Sequence, residues 1–362
     1  LSAYELMMSG SEPYLGIVLT YPTQESNRPD RTITVAGRSL TSALPKADVA
    51  IGVVGTGGFA KSVLLPRFAA RKDIARVVAA SRSGLSARHA AEKSRFAEAS
   101  TDYSETLERD DLNAVVIATR HNSHASLVEQ AMTRGKHVFV EKPLALNNAE
   151  LASLVDSHEG GSIVQVGFNR RFSSHAVRAR ETVAGRQAIL NYRVNAGEIP
   201  SDSWLHDLSI GGGRIVGEVC HFIDLSSFVL SSEPRTVTST RILQKTTHDD
   251  IVITITYQNG SLATIAYLAK GNPRVSKEWI EVFADNTVVQ IDNFRSTTVF
   301  SGSRRRVYKS RQQDKGFDQE VDAFIASIRN GEPAIPFQSL VSTTRATFAA
   351  VESLGTNQPV NV

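Results

Sequence analysis

An apolar run near the middle of the chain ends on two opposite charges and a proline. In the segment KHVFVEKPLAL, residues 136–146, the apolar side chains are followed directly by Glu141-Lys142-Pro143. A second apolar run, NAVVIAT, ends at Thr119 and is followed by a polar group. That group consists of His121, Asn122 and His124. A buried strand has no structural reason to end in this way, so both run ends are candidates for binding a ligand.

A glycine-rich turn upstream indicates which ligand. In VAIGVVGTGGFAKSVLLPRF the spacing G-x-G-x-x-A follows a strand-like run and precedes a helical pattern. The first glycine permits the tight turn, the second lets the backbone approach a pyrophosphate, and the helix N-terminus offers free N–H groups. Because strand, turn and helix agree, dinucleotide binding is favoured over a purely structural turn. The residues expected to contact the cofactor are Gly55, Gly57, Gly58, Phe59 and Ala60.

The end of the next apolar run bears on which dinucleotide is bound. RVVAAS is followed by Arg82 and Ser83, where a site that prefers NAD usually offers Asp or Glu to the ribose 2′-hydroxyl. Ser81 and Arg82 offer a hydroxyl and a guanidinium, which suit a 2′-phosphate, so we expect NADP to be preferred over NAD. The alternative is that Arg82 is a solvated loop residue. The strand ends at Thr119 and Glu141 are then expected on the nicotinamide side of the cofactor.

Composition limits the classes of protein that the chain can represent. Its 362 residues are 41% hydrophobic and 21% charged, which is typical of globular proteins of more than one domain. The net charge of +3 gives no reason to expect a nucleic-acid or membrane partner, and no apolar run approaches the roughly 20 residues of a membrane helix. The single cysteine, Cys220, excludes an internal disulfide and a cysteine-rich metal site. We expect a cytoplasmic protein without a bound metal.

Two sequence textures predict two domains of different fold. From Val49 to Gly167, continuous aliphatic runs alternate with helical segments, which predicts an α/β Rossmann domain with a parallel sheet. After residue 185, alternating apolar and polar runs predict a large open, mostly antiparallel sheet. The Asn-Gly of QNGS predicts a tight hairpin between two of its strands. A few helices are also expected, the last two near residues 317–329 and 339–353. The expected boundaries are 1–47 for a remnant of a preceding domain and a linker, 48–168 for the dinucleotide-binding domain, and 169–362 for a substrate-binding and oligomerisation domain.

Five segments in this order resemble the glucose–fructose oxidoreductase and inositol dehydrogenase family of nicotinamide-dependent sugar oxidoreductases. They are GTGGFA, GKHVFVEKPLAL, VGFNRRF, GGGRIVGEVCHFIDL and DKGFDQEVDAFIASIRNGEPAIPF. The resemblance implies that Lys142 contacts the nicotinamide ribose and the reacting hydroxyl, and that the Lys142-Pro143 bond is cis. It also implies that His221 exchanges the hydroxyl proton, a role that suits imidazole because it titrates near neutrality. The alternative for His221 is a structural histidine on a helix that faces the sheet.

The chain departs from the family pattern at one position. Many members carry an Asp four residues before this histidine, where this chain has Gly217. The adjacent Glu218 could supply the carboxylate, or Lys142 and His221 could act without one. Asp224, one helical turn beyond His221, could orient the imidazole or bind a sugar hydroxyl.

Further candidates for sugar binding follow from the same resemblance. Asn169, Arg170 and Arg171 lie where the family's substrate loop begins. The segment NAGEIPSDSWLHD adds Asn195, Glu198, Trp204 and His206. The alternatives are that Trp204 is a core anchor and that Arg171 is a surface residue.

The remaining expectations concern partners and the start of the chain. Residues 1–21 resemble the last helix and strand of medium-chain alcohol-dehydrogenase-type enzymes, which implies a fused upstream domain. The run at residues 249–269 has apolar residues on both faces, which is consistent with a homodimer or homotetramer formed through the second sheet. The expected function is hydride transfer between NAD(P) and a hydroxyl or carbonyl carbon of a sugar, sugar derivative or cyclitol. The alternative is a catalytically inactive module that senses a nucleotide or sugar.

Overall fold

The computed structural model describes residues 8–9, 30–35, 48–242 and 250–362. Residues 1–31 form one unit and residues 32–362 form a second, which contains both sheets. Apart from residues 8–9, the segment 1–21 that resembles an alcohol-dehydrogenase domain lies outside the described residues. Most of the predicted linker lies outside them too.

The first half of the second unit contains a seven-stranded sheet that is parallel except at one edge. Its strands are β1 (Thr32–Thr34), β2 (Ala50–Val54), β3 (Ala75–Ala80), β4 (Glu98–Ser100), β5 (Ala114–Ile117), β6 (His137–Val140) and β7 (Val164–Val166). They lie in the order β1-β4-β3-β2-β5-β6-β7. The five predicted aliphatic runs are β2, β3, β5, β6 and β7, and β3 and β5 flank β2 in parallel. The prediction of a Rossmann domain is confirmed.

Helices cover both faces of this sheet, as continuous apolar strands require. They are α1 (Leu65–Ala70), preceded by a π turn at Ala60–Leu64, then α2 (Gly84–Ser94), α3 (Tyr103–Glu108), α4 (His124–Thr133) and α5 (Asn148–Ser157). Polar residues cap several of them: Ser83 accepts a hydrogen bond from the Ser86 amide at α2, and Asn147 accepts one from the Glu150 amide at α5.

Strand β1 lies inside the segment that the sequence predicted to be mostly linker. It pairs antiparallel with β4, with Thr32 opposite Ser100 and their hydroxyls 2.9 Å apart. Val35, just after the strand, is buried and its amide donates to the carbonyl of Ala97. A three-residue edge strand carries too little periodicity to be found in a segment rich in Pro, Ser and charge.

The second half contains a nine-stranded sheet in which a single pair is parallel. Its strands are β8 (Ile189–Asn195), β9 (Pro234–Arg241), β10 (Ile251–Tyr257), β11 (Leu262–Leu268), β12 (Glu278–Ala284), β13 (Thr287–Asp292), β14 (Ser296–Ser301), β15 (Arg304–Lys309) and β16 (Val360–Asn361). They lie in the order β15-β14-β13-β12-β8-β11-β10-β9-β16, and only β8 and β11 run parallel. The predicted hairpin joins β10 to β11, with Gly260 at a φ of +84°. The mostly antiparallel second sheet is confirmed.

The helices of the second half cover one face of this sheet and also reach the first. They are α6 (Ser174–Val183), α7 (Cys220–Leu230), preceded by a π turn at Ile215–Val219, α8 (Phe317–Asn330) and α9 (Phe337–Thr356). The helix α8 belongs to the core of the first sheet, where the ring of Phe324 lies edge-on to Phe139 at 5.6 Å between centroids. Gln165 of β7 also donates to the backbone carbonyl of Glu320 at 2.9 Å.

Helix α8 carries an ionisable group in this core. Glu320 has no exposed surface, and neither carboxylate oxygen has a hydrogen-bond partner among the residues described. Burial raises the pKa of Glu320 well above its usual range, and the nearby carboxylates of Glu141 and Asp224 raise it further. We infer that Glu320 is protonated in the folded protein near neutral pH.

Glu320→Gln should therefore change stability in a pH-dependent way. In the unfolded chain Glu320 ionises above its ordinary pKa of about 4.5, whereas folding holds the proton on, so the wild-type fold loses stability as the pH rises above that value. The variant lacks this loss. The melting temperature of the variant minus that of the wild type should therefore be larger at about pH 8 than at about pH 5, by about 2–4 °C for each kcal/mol of unfolding free energy that the wild type loses. Scanning calorimetry measures this. Glu352→Gln, on an exposed helical position, is the control. The same difference in melting temperature at both pH values would contradict the inference that Glu320 is uncharged in the folded protein.

Candidate active site

A cleft of about 600 Å³ lies where the carboxyl ends of the first sheet meet the second half of the chain. It is lined by many of the residues that the sequence predicted. These are Phe59, Thr119, His121, His124, Glu141, Lys142, Asn169, Arg170, Trp204, Glu218 and His221. The predicted residues outside its lining are Gly55, Gly57, Gly58, Ala60, Ser81, Arg82, Asn122, Arg171, Asn195, Glu198, His206 and Asp224.

The glycine turn between β2 and the first helix forms an open cradle beside the cleft. Gly55 has a φ of +96°, and a Cβ there would lie 2.6 Å from the backbone of Ala118, so only glycine fits. A Cβ at Gly57 or Gly58 would meet nothing within 4 Å, and both residues are exposed. Ala60, the first residue of the π turn, is buried. The turn thus has the room and the free backbone that a pyrophosphate needs.

Ser81 and Arg82 follow β3 at the same edge of the sheet. Arg82 is exposed, and its backbone amide donates to the hydroxyl of Tyr103 at 3.3 Å. Lys61, in the helix after the glycine turn, donates to the hydroxyl of Ser86 in the first turn of α2 at 2.8 Å. Two cationic residues, Lys61 and Arg82, therefore lie in the segments next to the end of β3.

Lys142 bridges the two halves of the chain. Its ammonium donates to the carbonyl oxygen of Gly217 at 2.7 Å, and the Lys142-Pro143 peptide bond is cis, as the resemblance implied. A ring nitrogen of the buried His124 lies 2.8 Å from the carbonyl oxygen of Pro143, and the other lies 3.3 Å from that of Thr119. Burial lowers the pKa of His124 to about 4, so the ring is neutral and donates to only one of these two carbonyl oxygens.

Glu141 is a buried carboxyl at the floor of the cleft. Burial raises the pKa of Glu141 to about 7, although the charge of Lys142 opposes the shift. Its carboxylate packs against Gly167, where a Cβ would lie 2.8 Å from one carboxylate oxygen. The absence of a side chain at residue 167 thus leaves room for the Glu141 carboxylate.

His221 lies in the first turn of α7 and is partly exposed in the cleft. Its ring packs edge-on to Phe168 at 6.1 Å, and within the described residues its Nδ1 has no hydrogen-bond partner. Burial lowers the pKa of His221 well below its ordinary value, and the cations Arg170 and Lys142 lower it further. The imidazole is therefore neutral near pH 7 and can accept a proton.

The departure at Gly217 has a packing reason. A Cβ on Gly217 would lie 3.0 Å from the ring of His121, which is itself held by the carbonyl oxygen of Gly211 at 2.8 Å and lies edge-on to Trp204 at 4.8 Å. Any larger side chain at residue 217 would push on this buried stack. The π turn at Ile215–Val219 contains Gly217, whose carbonyl accepts the hydrogen bond from Lys142.

Glu218 is the carboxylate that the structure places next to Lys142. It lines the cleft and accepts a hydrogen bond from Tyr267 at 2.9 Å. Burial opposes its ionisation, yet the charge of Lys142 and the bond from Tyr267 lower the pKa of Glu218 below its usual range. Glu218 is therefore an anion near neutral pH.

Asp224 is not brought to His221. Both of its oxygens are bonded to the guanidinium of Arg171, one of them at 3.0 Å, and both residues are buried. Neither residue lines the cleft, and Arg171 is far from the surface position considered for it. This ion pair joins the loop after β7 to helix α7.

Sequence reasoning missed one carboxylate and two lysines. Glu278 accepts hydrogen bonds from Arg170 at 2.7 and 3.0 Å and from Tyr192, and pairs with Lys315 at 2.8 Å. Despite burial, these cations lower the pKa of Glu278. Its signal was available, because strand alternation puts Glu278 on the apolar face with Ile280. Lys277 and Lys315 also line the cleft; Lys315 belongs to the segment DKGFDQEVDAFIASIRNGEPAIPF, whereas Lys277 lies outside all five of the segments named above.

The other predicted residues have structural partners or lie apart. The amide of the buried Asn169 donates to the carbonyl of Lys315 at 2.8 Å. Asn195 donates to the carbonyl of Asn272 at 2.7 Å, and Glu198 is exposed. No cluster of three His, Cys, Asp or Glu side chains in the described part of the chain could hold a metal ion. None of the helices that the structure describes is long and apolar enough to span a membrane.

The fold and the glycine turn are those of a dinucleotide-binding protein with a second, α+β domain. Two family models match the chain: an oxidoreductase family with an NAD-binding Rossmann fold, over residues 49–168, and the GFO/IDH/MocA C-terminal domain, over residues 149–289. The chain belongs to the GFO/IDH/MocA oxidoreductase family. Both models begin after residue 48, so they do not bear on the resemblance of residues 1–21.

Relatives with named activities cover most of the chain. Myo-inositol 2-dehydrogenase of Thermotoga maritima is 26% identical over 67% of this chain and 77% of its own length. D-xylose 1-dehydrogenase (NADP(+)) 2 of Haloferax volcanii is 26% identical over 86% of this chain and 99% of its own. The structure of a levoglucosan dehydrogenase in complex with NADH and levoglucosan superposes with a TM-score of 0.76 at 20% identity, covering 87% of this chain and 99% of that one. The last comparison shows the fold alone.

Gly167→Ala should disturb Glu141 and through it the site. The added methyl would displace a buried carboxylate adjacent to Lys142, so we expect turnover to fall by roughly tenfold or more with little change in cofactor affinity. Gly161→Ala is the matched control, since a Cβ there meets nothing within 4 Å. Steady-state kinetics and a melting curve for each variant separate a site defect from unfolding. Unchanged turnover in folded Gly167→Ala would show that the position of Glu141 does not matter.

Proposed function

We propose that the protein is an NAD(P)-dependent dehydrogenase or reductase that acts on a hydroxyl or carbonyl carbon of a sugar, sugar derivative or cyclitol. One observation carries the proposal: Lys142 and His221 line a single cleft next to an open glycine turn. The named relatives act on inositol and xylose by their names, which supports this substrate class.

The residues around the glycine turn would hold the cofactor. Its backbone and the helix after it would bind the pyrophosphate, and Thr119 and Glu141 would lie near the nicotinamide. When bound, NAD(P)⁺ supplies the acceptor for the hydride that leaves the carbon of the alcohol. The protein must then remove the proton of the hydroxyl and stabilise the charge that develops on oxygen.

His221 and Lys142 divide these two tasks. The neutral His221 accepts the hydroxyl proton during oxidation and returns it during reduction. The ammonium of Lys142 donates a hydrogen bond to the reacting oxygen and stabilises developing negative charge. The charge of Lys142 helps to keep Glu218 anionic, and we assign to Glu218 part of the role of the absent Asp. Asn169, Arg170 and Trp204 are the wall residues that we assign to holding the sugar.

Lys142→Ala should abolish most activity and leave the cofactor site intact. Loss of the group that stabilises the oxyanion should lower turnover by roughly 10²–10⁴-fold, while the affinity for NAD(P)H changes little. Kinetics over a panel of sugars and cyclitols, with cofactor binding measured by fluorescence titration, check both parts. Lys309→Ala, an exposed lysine of β15, is the control. Cofactor binding without turnover of any compound by the wild-type protein would instead favour the sensing module.

Arg82 is the residue to which we assign the preference for NADP. Arg82→Ala should raise the KM for NADP by about tenfold, which corresponds to about 1.4 kcal/mol for a charged contact to phosphate, and leave the KM for NAD nearly unchanged. Arg88→Ala removes a similar exposed charge from α2 and is the control. Equal effects on both cofactors would argue against a 2′-phosphate contact.

The open face of the second sheet is our candidate for self-association. It exposes apolar side chains on four adjacent strands: Ile189, Val252, Leu262 and Phe283. An apolar face of this kind is typical of protein interfaces. We propose that a homodimer or homotetramer forms through it.

A further inference from the structure

The wall of the cleft formed by the second half is rich in cations. Among the cleft-lining residues, four carry ammonium or guanidinium groups: Lys142, Arg170, Lys277 and Lys315. Two carboxyl groups line the same cleft, Glu141 and Glu218. Because Glu141 has a pKa of about 7, it offsets only part of a charge near neutral pH. The cleft therefore presents an excess of positive charge to a ligand.

Three of the four cations make a hydrogen bond or an ion pair within the protein. Arg170 and Lys315 share the carboxylate of Glu278. Lys142 donates to the Gly217 carbonyl, and the charges of Lys142 and Lys277 both act on Glu218. Two cations sharing one carboxylate leave a surplus of one charge at that point, which a neutral sugar would not use.

Lys277 is the cation without such a partner. Its side chain is exposed and makes no ion pair or hydrogen bond with the residues that the structure describes. Its backbone is fixed, because its carbonyl accepts a hydrogen bond from the Asn195 amide at 2.7 Å where β12 begins. The next residue, Glu278, is fully buried in the Arg170 pair, whereas Lys277, just before β12 begins, is exposed and lines the cleft.

Lys277 also borders a second depression next to the cleft. This depression, of about 430 Å³, has Lys277, Arg274, Asn195 and Asn293 among its lining residues. Arg274 is exposed, as is Lys277. Phe59 of the glycine turn lines the main cleft but not the depression. If the glycine turn holds the cofactor's phosphates, Arg274 is therefore not part of the phosphate site. A substituent on the sugar could therefore extend over Lys277 towards Arg274.

We propose that the substrate is an anionic sugar, one whose carboxylate or phosphoryl group binds to Lys277 at the border between the cleft and this depression. The proposal rests on the proposed dehydrogenase function and narrows its substrate class. An ammonium on a fixed backbone with no internal partner suits either anion as a point charge. Lys277 is a specificity residue in this assignment and takes no part in proton or hydride transfer.

Matched compounds and a charge-removing variant test the assignment. Glucose, glucuronate and glucose 6-phosphate share one ring and differ in charge, and myo-inositol with its monophosphate forms a second set. Wild-type protein should show a lower KM for an anionic member than for its neutral counterpart. In Lys277→Gln that KM should rise by about tenfold with kcat less affected, whereas the KM for neutral compounds and the affinity for NAD(P)H stay unchanged. The carboxylate and phosphate arms distinguish the two anions.

The controls separate a local from a general effect of charge. Lys309→Gln removes the same charge from the same sheet, on the edge strand β15 and away from the cleft, and should leave every KM unchanged. Lys277→Glu should disfavour the anionic compounds more strongly than Lys277→Gln. Wild-type preference for the neutral compounds would overturn the proposal, as would equal effects of Lys277→Gln on neutral and anionic compounds. Weaker NAD(P)H binding in Lys277→Gln would assign Lys277 to the cofactor and overturn it too.

A binding measurement keeps this test separate from the proposed function. Isothermal titration of the NAD(P)H-bound protein with glucuronate and glucose 6-phosphate reports binding whether or not hydride transfer occurs. Binding that depends on Lys277, without turnover, would refute the dehydrogenase assignment and support the anion site. Turnover of neutral sugars with no binding of either anion would support the dehydrogenase and overturn the anion site.

Discussion

The site depends on a hydrogen bond between the ammonium of Lys142, at the end of strand β6, and the carbonyl of Gly217, in the π turn before α7. This bond joins the edge of the first sheet to the helix that carries His221. Each end needs its own support: His124 holds the backbone at Pro143, and the absence of a side chain at residue 217 leaves room for the ring of His121. The distance between Lys142 and His221 therefore depends on how the first and second halves of the chain pack against each other.

Buried ion pairs fix the second half around this bond. Arg170 with Glu278 and Arg171 with Asp224 are consecutive arginines that reach opposite elements, strand β12 and helix α7. Burying such charges costs several kcal/mol per ion before pairing, so the pairs are weak evidence for stability. Their geometric effect is clearer, since two rigid guanidinium forks hold the loop after β7 in one orientation. The part of the cleft wall that contains Arg170 is thus held by contacts within the protein.

Much of the fold and part of the site could be predicted from the sequence. The glycine turn, the strand ends and the Asn-Gly hairpin are local signals, because each depends on residues that are neighbours in the chain. Sequence reasoning missed Glu278, Lys277 and Lys315 because their places in the site depend on contacts between distant segments. Glu278, for example, pairs with Arg170, which lies more than 100 residues earlier in the chain. Asp224 was considered as a partner of His221 on helical spacing alone, but a guanidinium from another element binds both of its oxygens. The edge strand β1 was missed because its stability comes from β4 and not from its own pattern.

The position of helix α8 has a consequence for the order in which the chain can become a folded protein. Val321, Phe324 and Ile325 of this helix complete the core beneath the nucleotide-binding sheet, next to Phe68 and Phe139. On the ribosome, that sheet is made early, but part of one apolar face stays uncovered until the chain has been extended through residue 330. The first domain is therefore continuous in space but not in sequence. A fragment ending at residue 168 would expose to water the aromatic surface that α8 covers.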